Sequence, residues 1–93
     1  MDIDINILVE KAQEGDHEAF AELVKASEKT VFNIAYRSLS NREDAYEISQ
    51  EVFIKAFKNI NKFDGKSSFK TWIYRIAVNT CIDEVRKRKN KDT

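Results

Sequence analysis

The chain has 93 residues, 16 basic and 16 acidic side chains, two glycines and no proline, a size that supports one domain with a modest core. No apolar run approaches the roughly 20 residues of a membrane span, so membrane insertion is not expected. The acidic start MDIDINILVE lacks the basic stretch of a secretory signal. A lone cysteine, Cys81, excludes an internal disulfide and a cysteine-based zinc site, which makes a reducing, intracellular and cytoplasmic location the default.

Abundant Ala, Glu, Lys and Ile without proline predict an all-α fold, a compact bundle of three to four helices. Ile5, Leu8, Val9 and Ala12 place a short helix over Asp4 to Glu14. Gly15 ends it in the left-handed region, and Asp16 caps the next. That second helix runs from about His17 to Leu39 on the stripe Ala19, Phe20, Leu23, Val24, Val31, Ile34, Ala35 and Leu39. The polar stretch Ser27 to Thr30 is a place where it could bend or fray.

Ser40 with Glu43 fits a capping box for the third helix, and Asn41 with Asp44 is an alternative frame. The third helix reaches about Asn61, with Ala45, Ile48, Val52, Ala56 and Ile60 inward and Phe53 and Phe57 widening the stripe. Asn61 to Ser68 form a loop. Ser67 or Ser68 caps the fourth helix, which continues through Val85 and frays into a charged tail. Its inward face is Phe69, Trp72, Ile73, Ile76, Ala77 and Thr80, with Cys81 at the edge. The whole chain reads as one domain, its residues 88–93 the start of a linker.

Charge is unevenly spread. Residues 1–60 hold seven Lys and Arg against twelve Asp and Glu, a balance of −5, and residues 61–93 hold nine against four, a balance of +5. Either the halves face partners of opposite sign, or they attract each other.

Two constellations stand out. On the third helix Glu43, Glu47 and Glu51 lie four apart, flanked by Asp44 and Gln50. Such a strip repels itself by a few tenths of a kcal/mol per pair. It is either a solvated face or a surface for a cationic partner. The second is the loop and fourth helix, where Phe63, Phe69, Trp72 and Tyr74 sit beside Lys66, Lys70, Arg75 and the run Arg86 to Lys89. Aromatic faces beside cations suit single-stranded nucleic acid, although aromatics at helical spacing also suit a core. Asn79 can offer a donor and an acceptor to a base edge.

Catalysis finds no support. The acidic strip is convex and wet, whereas a catalytic carboxylate pair needs a partly dry cleft. His17 has no ligand partners in register, so no metal site is expected. Ser67 and Ser68 lack a neighbouring base, and there is no phosphate-cradling glycine loop. No cofactor is implied.

The order of these pieces resembles region 2 of bacterial RNA polymerase sigma factors of the extracytoplasmic-function type. The resemblance rests on Gln50-Glu51, on the run from Phe63 through Asp64, Gly65, Lys66, Ser67, Ser68, Phe69, Lys70 and Thr71 to Trp72-Ile73, and on Ile76-Ala77-Val78-Asn79. Upstream, Gly15-Asp16 and Ala19-Phe20 also match, so it covers nearly the whole chain. It implies a transcription initiation domain and no enzyme. The acidic helix, with Glu43, Asp44, Glu47, Gln50 and Glu51, would dock on the β′ clamp helices of core RNA polymerase. The loop from Phe63 to Phe69 would capture a flipped base of the non-template strand at the promoter minus-ten element. Asn79 would lie near that base, Trp72 would be structural as much as functional, and Lys70, Tyr74, Arg75 and Arg86 would add aromatic and cationic surface on the strand-binding side. Anti-sigma partners are common in the family. Its helix-turn-helix half, which reads the minus-thirty-five element, has no counterpart in these residues. Two other readings remain: a protein-interaction module that uses only the acidic face, and a binder of duplex DNA.

Overall fold

Every α-helix begins on a side-chain oxygen that accepts a backbone N–H left without a helical partner. Asp4 accepts from Asn6 at 2.9 Å, Asp16 from Ala19 at 3.1 Å, Asn41 from Asp44 at 3.0 Å and Ser68 from Thr71 at 3.1 Å. These caps set the starts in a computed structural model that describes residues 4–91. The elements are α1 (Ile5–Gln13), α2 (His17–Leu39), α3 (Arg42–Asn59), a 3₁₀ turn (Ile60–Lys62) and α4 (Phe69–Lys91).

The corners follow from local chemistry. Between α1 and α2, Gly15 takes φ 97°. Its N–H donates to Ala12 O at 3.0 Å, and Asp16 N–H donates to Lys11 O at 2.9 Å. This crossed pair satisfies the last carbonyls of α1 and needs a left-handed residue at its centre. Between α2 and α3 the left-handed residue is Ser40, at φ 55°. Ser40 therefore closes α2, and the extended Asn41 opens α3. Of the two frames open in the sequence, the Asn41–Asp44 one is realised.

The core lies along α2, which packs on the other three helices, while α3 and α4 pack on each other. Ala19, Leu23, Ser27, Val31 and Ala35 are its buried residues, spaced by four throughout. Ser27 thus continues the inward stripe, and α2 runs through Ser27 to Thr30 without a break, because a serine is small enough for the helix contact. Leu23, Ile73, Val31 and Val52 are the largest fully buried side chains. Ala35, Ala45, Ala56 and Ala77 are 0–1% exposed, so small side chains fill part of the core between the helices.

Three expectations change. The α-helical geometry of α3 ends at Asn59 and tightens into the 3₁₀ turn, with Phe63 N–H on Ile60 O at 3.2 Å. Phe57 does not widen the core. It is 49% exposed, with its ring meeting the edges of Phe20 and His17. The charged end does not fray after Val85 but stays helical through Lys91, because Arg88 is anchored to α3. Residues 92–93 of the expected linker lie outside the described residues. No helix among the described residues is long and apolar enough to cross a membrane.

Candidate nucleic-acid and protein interfaces

Four short-range devices shape the loop from Phe63 to Ser68. The 3₁₀ turn delivers Phe63. Asp64 Oδ1 accepts from Lys66 N–H at 3.0 Å, a local turn typical of aspartate. Gly65 takes φ 79°, and Ser68 starts α4. The ring centroids of Phe63 and Trp72 lie 5.2 Å apart, those of Phe69 and Trp72 5.8 Å, and those of Phe63 and Phe69 6.3 Å. Phe69 is 5% exposed, so it supports the other two rings from the core and presents no face to a strand. Phe63 and Trp72 are half-buried walls.

The loop stands open. A cleft of about 520 Å³ is lined by Lys62, Phe63, Asp64, Lys66, Ser67, Trp72 and Arg75. Its volume falls in the range of roughly 300–1,000 Å³ typical of small-ligand sites. An indole and a phenyl ring offer apolar surface, three cations face one carboxylate, and a serine adds hydrogen bonding. Lys66 and Asp64 are 3.9 Å apart and both well exposed, a weak pair. No carboxylate among the described residues pairs with Arg75; Glu84, one possible partner, binds Arg88 instead.

Trp72 is a shared wall. Behind it a second cleft of about 400 Å³ is lined by Lys55, Asn59, Lys62, Trp72, Ile76, Asn79 and Thr80. Asn79 therefore lies across the indole from the loop cleft. Lys55 Nζ donates to Thr80 Oγ1 at 3.2 Å and lies 3.5 Å from Glu51. Asn59 Nδ2 donates to Lys55 O at 2.8 Å. Sequence reasoning missed Lys55 and Asn59, because only the pairing of α3 with α4 brings them opposite Asn79. Lys70 lines a different, smaller cavity with Ile5, Thr30 and Ile73. Tyr74 is 51% exposed, and both it and Arg86 lie outside the two clefts.

On the acidic strip, Glu43, Glu47 and Gln50 are exposed. Asp44 and Glu51 are half-buried and already paired, Asp44 with Arg88 at 3.0 Å and Glu51 with Lys55. The strip borders an apolar groove of about 630 Å³ between α2 and α3, walled by Val24, Phe32, Tyr46 and Phe53 and edged by Gln50. Of these, Tyr46 is 60% exposed, and Ile54, also on α3, is 55% exposed. The sequence signal for this amphipathic face is Tyr46, interleaved among the acidic residues Asp44 and Glu47.

Among the described residues two groups have shifted acidities. Burial pushes the Cys81 thiol up, with Ser38 opposing. Hydrogen bonds to Asp44 and then Glu84 raise Arg88. Among the described residues no group of three His, Cys, Asp or Glu is placed to hold a metal ion.

A helical domain with an aromatic, cationic loop cleft and an acidic, groove-edged helix has one surface for an anionic ring-bearing ligand and another for a cationic partner. Residues 23–91 match the family Sigma-70 region 2, and the chain belongs to that family, whose members are transcription initiation domains rather than enzymes. It is 40% identical over 89 residues to the ECF RNA polymerase sigma factor SigW of Bacillus subtilis, covering 96% of this chain and 48% of that protein. It is 43% identical over 74 residues to the ECF RNA polymerase sigma-E factor of Escherichia coli, covering 80% and 38%. The chain thus spans less than half the length of these curated relatives. A solved structure of an engineered region 2 of sigmaE in complex with GTAAAA superposes with a TM-score of 0.89 at 34% identity, covering 98% of this chain and 97% of that one.

Proposed function

We propose that this domain binds core RNA polymerase through the acidic face of α3 and captures an unpaired non-template base of a promoter minus-ten element in the loop cleft. The observation that carries the reading is the open cleft lined by the contacting rings of Phe63 and Trp72, together with Lys62, Lys66 and Arg75. A base inside a duplex cannot reach such a cleft. Extruding it costs a few kcal/mol of stacking and pairing. A site that accepts only the extruded base therefore favours the open state of the promoter. Ring contacts recover part of the cost, and the cations add a salt-dependent phosphate contribution.

Phe63, Asp64, Gly65, Lys66 and Ser67 shape the cleft. Trp72 and Arg75 form its far side, and Asn79 reads the strand where it passes behind the indole. Ser68 and Phe69 act indirectly, as cap and support. Lys70, Tyr74 and Arg86 add cationic and aromatic surface along the flanks. On α3, Glu43, Glu47 and Gln50 make the exposed docking edge for a basic helical surface of the β′ subunit, with Asp44 and Glu51 entering if they exchange their present partners. A partner of core polymerase works in the cytoplasm. An anti-sigma factor that silenced the domain would cover one of these two surfaces.

The test is a binding screen of short single strands, starting from GTAAAA, at controlled salt with each base varied in turn. One position should dominate affinity, and its preference should vanish when the loop is altered by Phe63→Ala. Equal affinity for every strand of one length would reject base capture and leave only phosphate binding.

A further inference from the structure

Gln13, the last residue of α1, reaches the loop from a distant part of the chain. Its Nε2 donates to Ile60 O at 2.9 Å and to Phe63 O at 2.8 Å, 47 and 50 residues away. Both hydrogens of the primary amide are thereby used, one on each side of the 3₁₀ turn. The other side-chain hydrogen bonds of the 60–68 segment are local, within three residues along the chain, such as those that join Ser68 to Thr71. Phe63 is one wall of the loop cleft, so the amide fixes the backbone that carries that wall.

We propose that Gln13 is a positioning residue for base capture, holding the cleft open and in register from α1. This rests on the reading of the loop cleft given above. Without the amide, Phe63 O loses its donor, Ile60 O keeps only the 3.2 Å bond from Phe63 N–H, and the Phe63 wall is free to shift. The cost of ordering the cleft then falls on binding. Loss of both bonds should weaken capture about tenfold.

The experiment uses GTAAAA and the same hexanucleotide with an abasic unit at each position in turn, read by the fluorescence of Trp72, the only tryptophan. The ratio of intact to abasic affinity measures capture separately from phosphate binding. Gln13→Met should keep its helical circular dichroism and its affinity for the abasic strand, and lose the ratio about tenfold. Gln13→Glu is a second variant of nearly the same shape. Ionised at about pH 7.5, it can only accept, and the ratio should be lost while the affinity for the abasic strand is kept. A folded Gln13→Met with the wild-type ratio, or equal losses on intact and abasic strands, overturns the proposal. If Gln13→Met does not fold, Gln13→Glu decides: the wild-type ratio at about pH 7.5 overturns it. If wild type itself shows no ratio at any position, the failure lies in the cleft reading and the inference falls with it.

Discussion

Arg88, near the end of α4, donates from Nη1 to Asp44 Oδ2 in the first turn of α3, at 3.0 Å and across 44 residues of sequence. Its Nε donates to Glu84 at 3.2 Å on its own helix. Asp44 sits at the positive end of one helix and Arg88 at the negative end of another, so each is favoured where it stands. The two charged halves of the chain thus meet here, and part of the charge split is answered within the molecule.

The anchor explains why α4 stays helical after Val85. Arg88→Gln should leave the thermal midpoint nearly unchanged and raise amide exchange over residues 86–90. Added salt should do the same to wild type, since the pair is exposed enough to be screened. Unchanged exchange would mean that the end of α4 holds itself.

Glu47 is exposed and has no ion-pair partner among the described residues. Glu47→Lys should weaken docking to core polymerase at least tenfold, since a like charge replaces an attraction. Strand binding should be unaffected. A competition assay against another sigma factor checks the first, and the oligonucleotide screen the second.

Asn79→Ala should reduce affinity for a minus-ten strand more than for a scrambled strand of equal length. Removing a side chain that contacts a base edge typically costs about 1–3 kcal/mol of discrimination. The slope of log affinity against log salt should not move, because the amide touches no phosphate. An equal loss on both strands would assign Asn79 to the backbone.

At Gly65, a methyl group would meet nothing within 4 Å, yet φ is 79°. The penalty of Gly65→Ala is therefore conformational, about 1 kcal/mol. Gly65→Asn should cost less, because asparagine tolerates the left-handed region better. Chemical denaturation of the three proteins should give the order Gly, Asn, Ala.

Burial holds the Cys81 thiol above its ordinary value of 9.0. Its neutral form is the one the fold prefers. The contribution to stability is thus complete below that value and is lost as pH rises through the higher folded-state value. Cys81 should resist thiol reagents at neutral pH at a rate set by unfolding, and Cys81→Ala should flatten the alkaline fall in stability. Rapid labelling of the folded protein would contradict the burial.

Much of this was legible in the sequence because it is local. Gly15, Asp16 and the apolar spacing mark the first corner without reference to the rest of the chain. The aromatic loop, the acidic strip and the outward Asn79 were also visible. What escaped depends on tertiary partners. Ser40 and Asn41 are equally good caps until one is required in a left-handed turn. Phe69 and Trp72 look alike along the chain, yet packing sends one inward and leaves the other as a wall. Gln13 reads as a polar helix end, and nothing nearby in sequence reveals the carbonyls it serves.

Ala35, Ala45, Ala56 and Ala77 are almost completely buried. A packed interior has little slack, so a bulkier residue at Ala56 of α3 or Ala77 of α4 would act as a shim, displacing the helices around it. The gap behind the indole would change its gauge without any alteration to the surface itself. Selectivity for a strand could in this way be retuned from a position that no nucleotide ever touches.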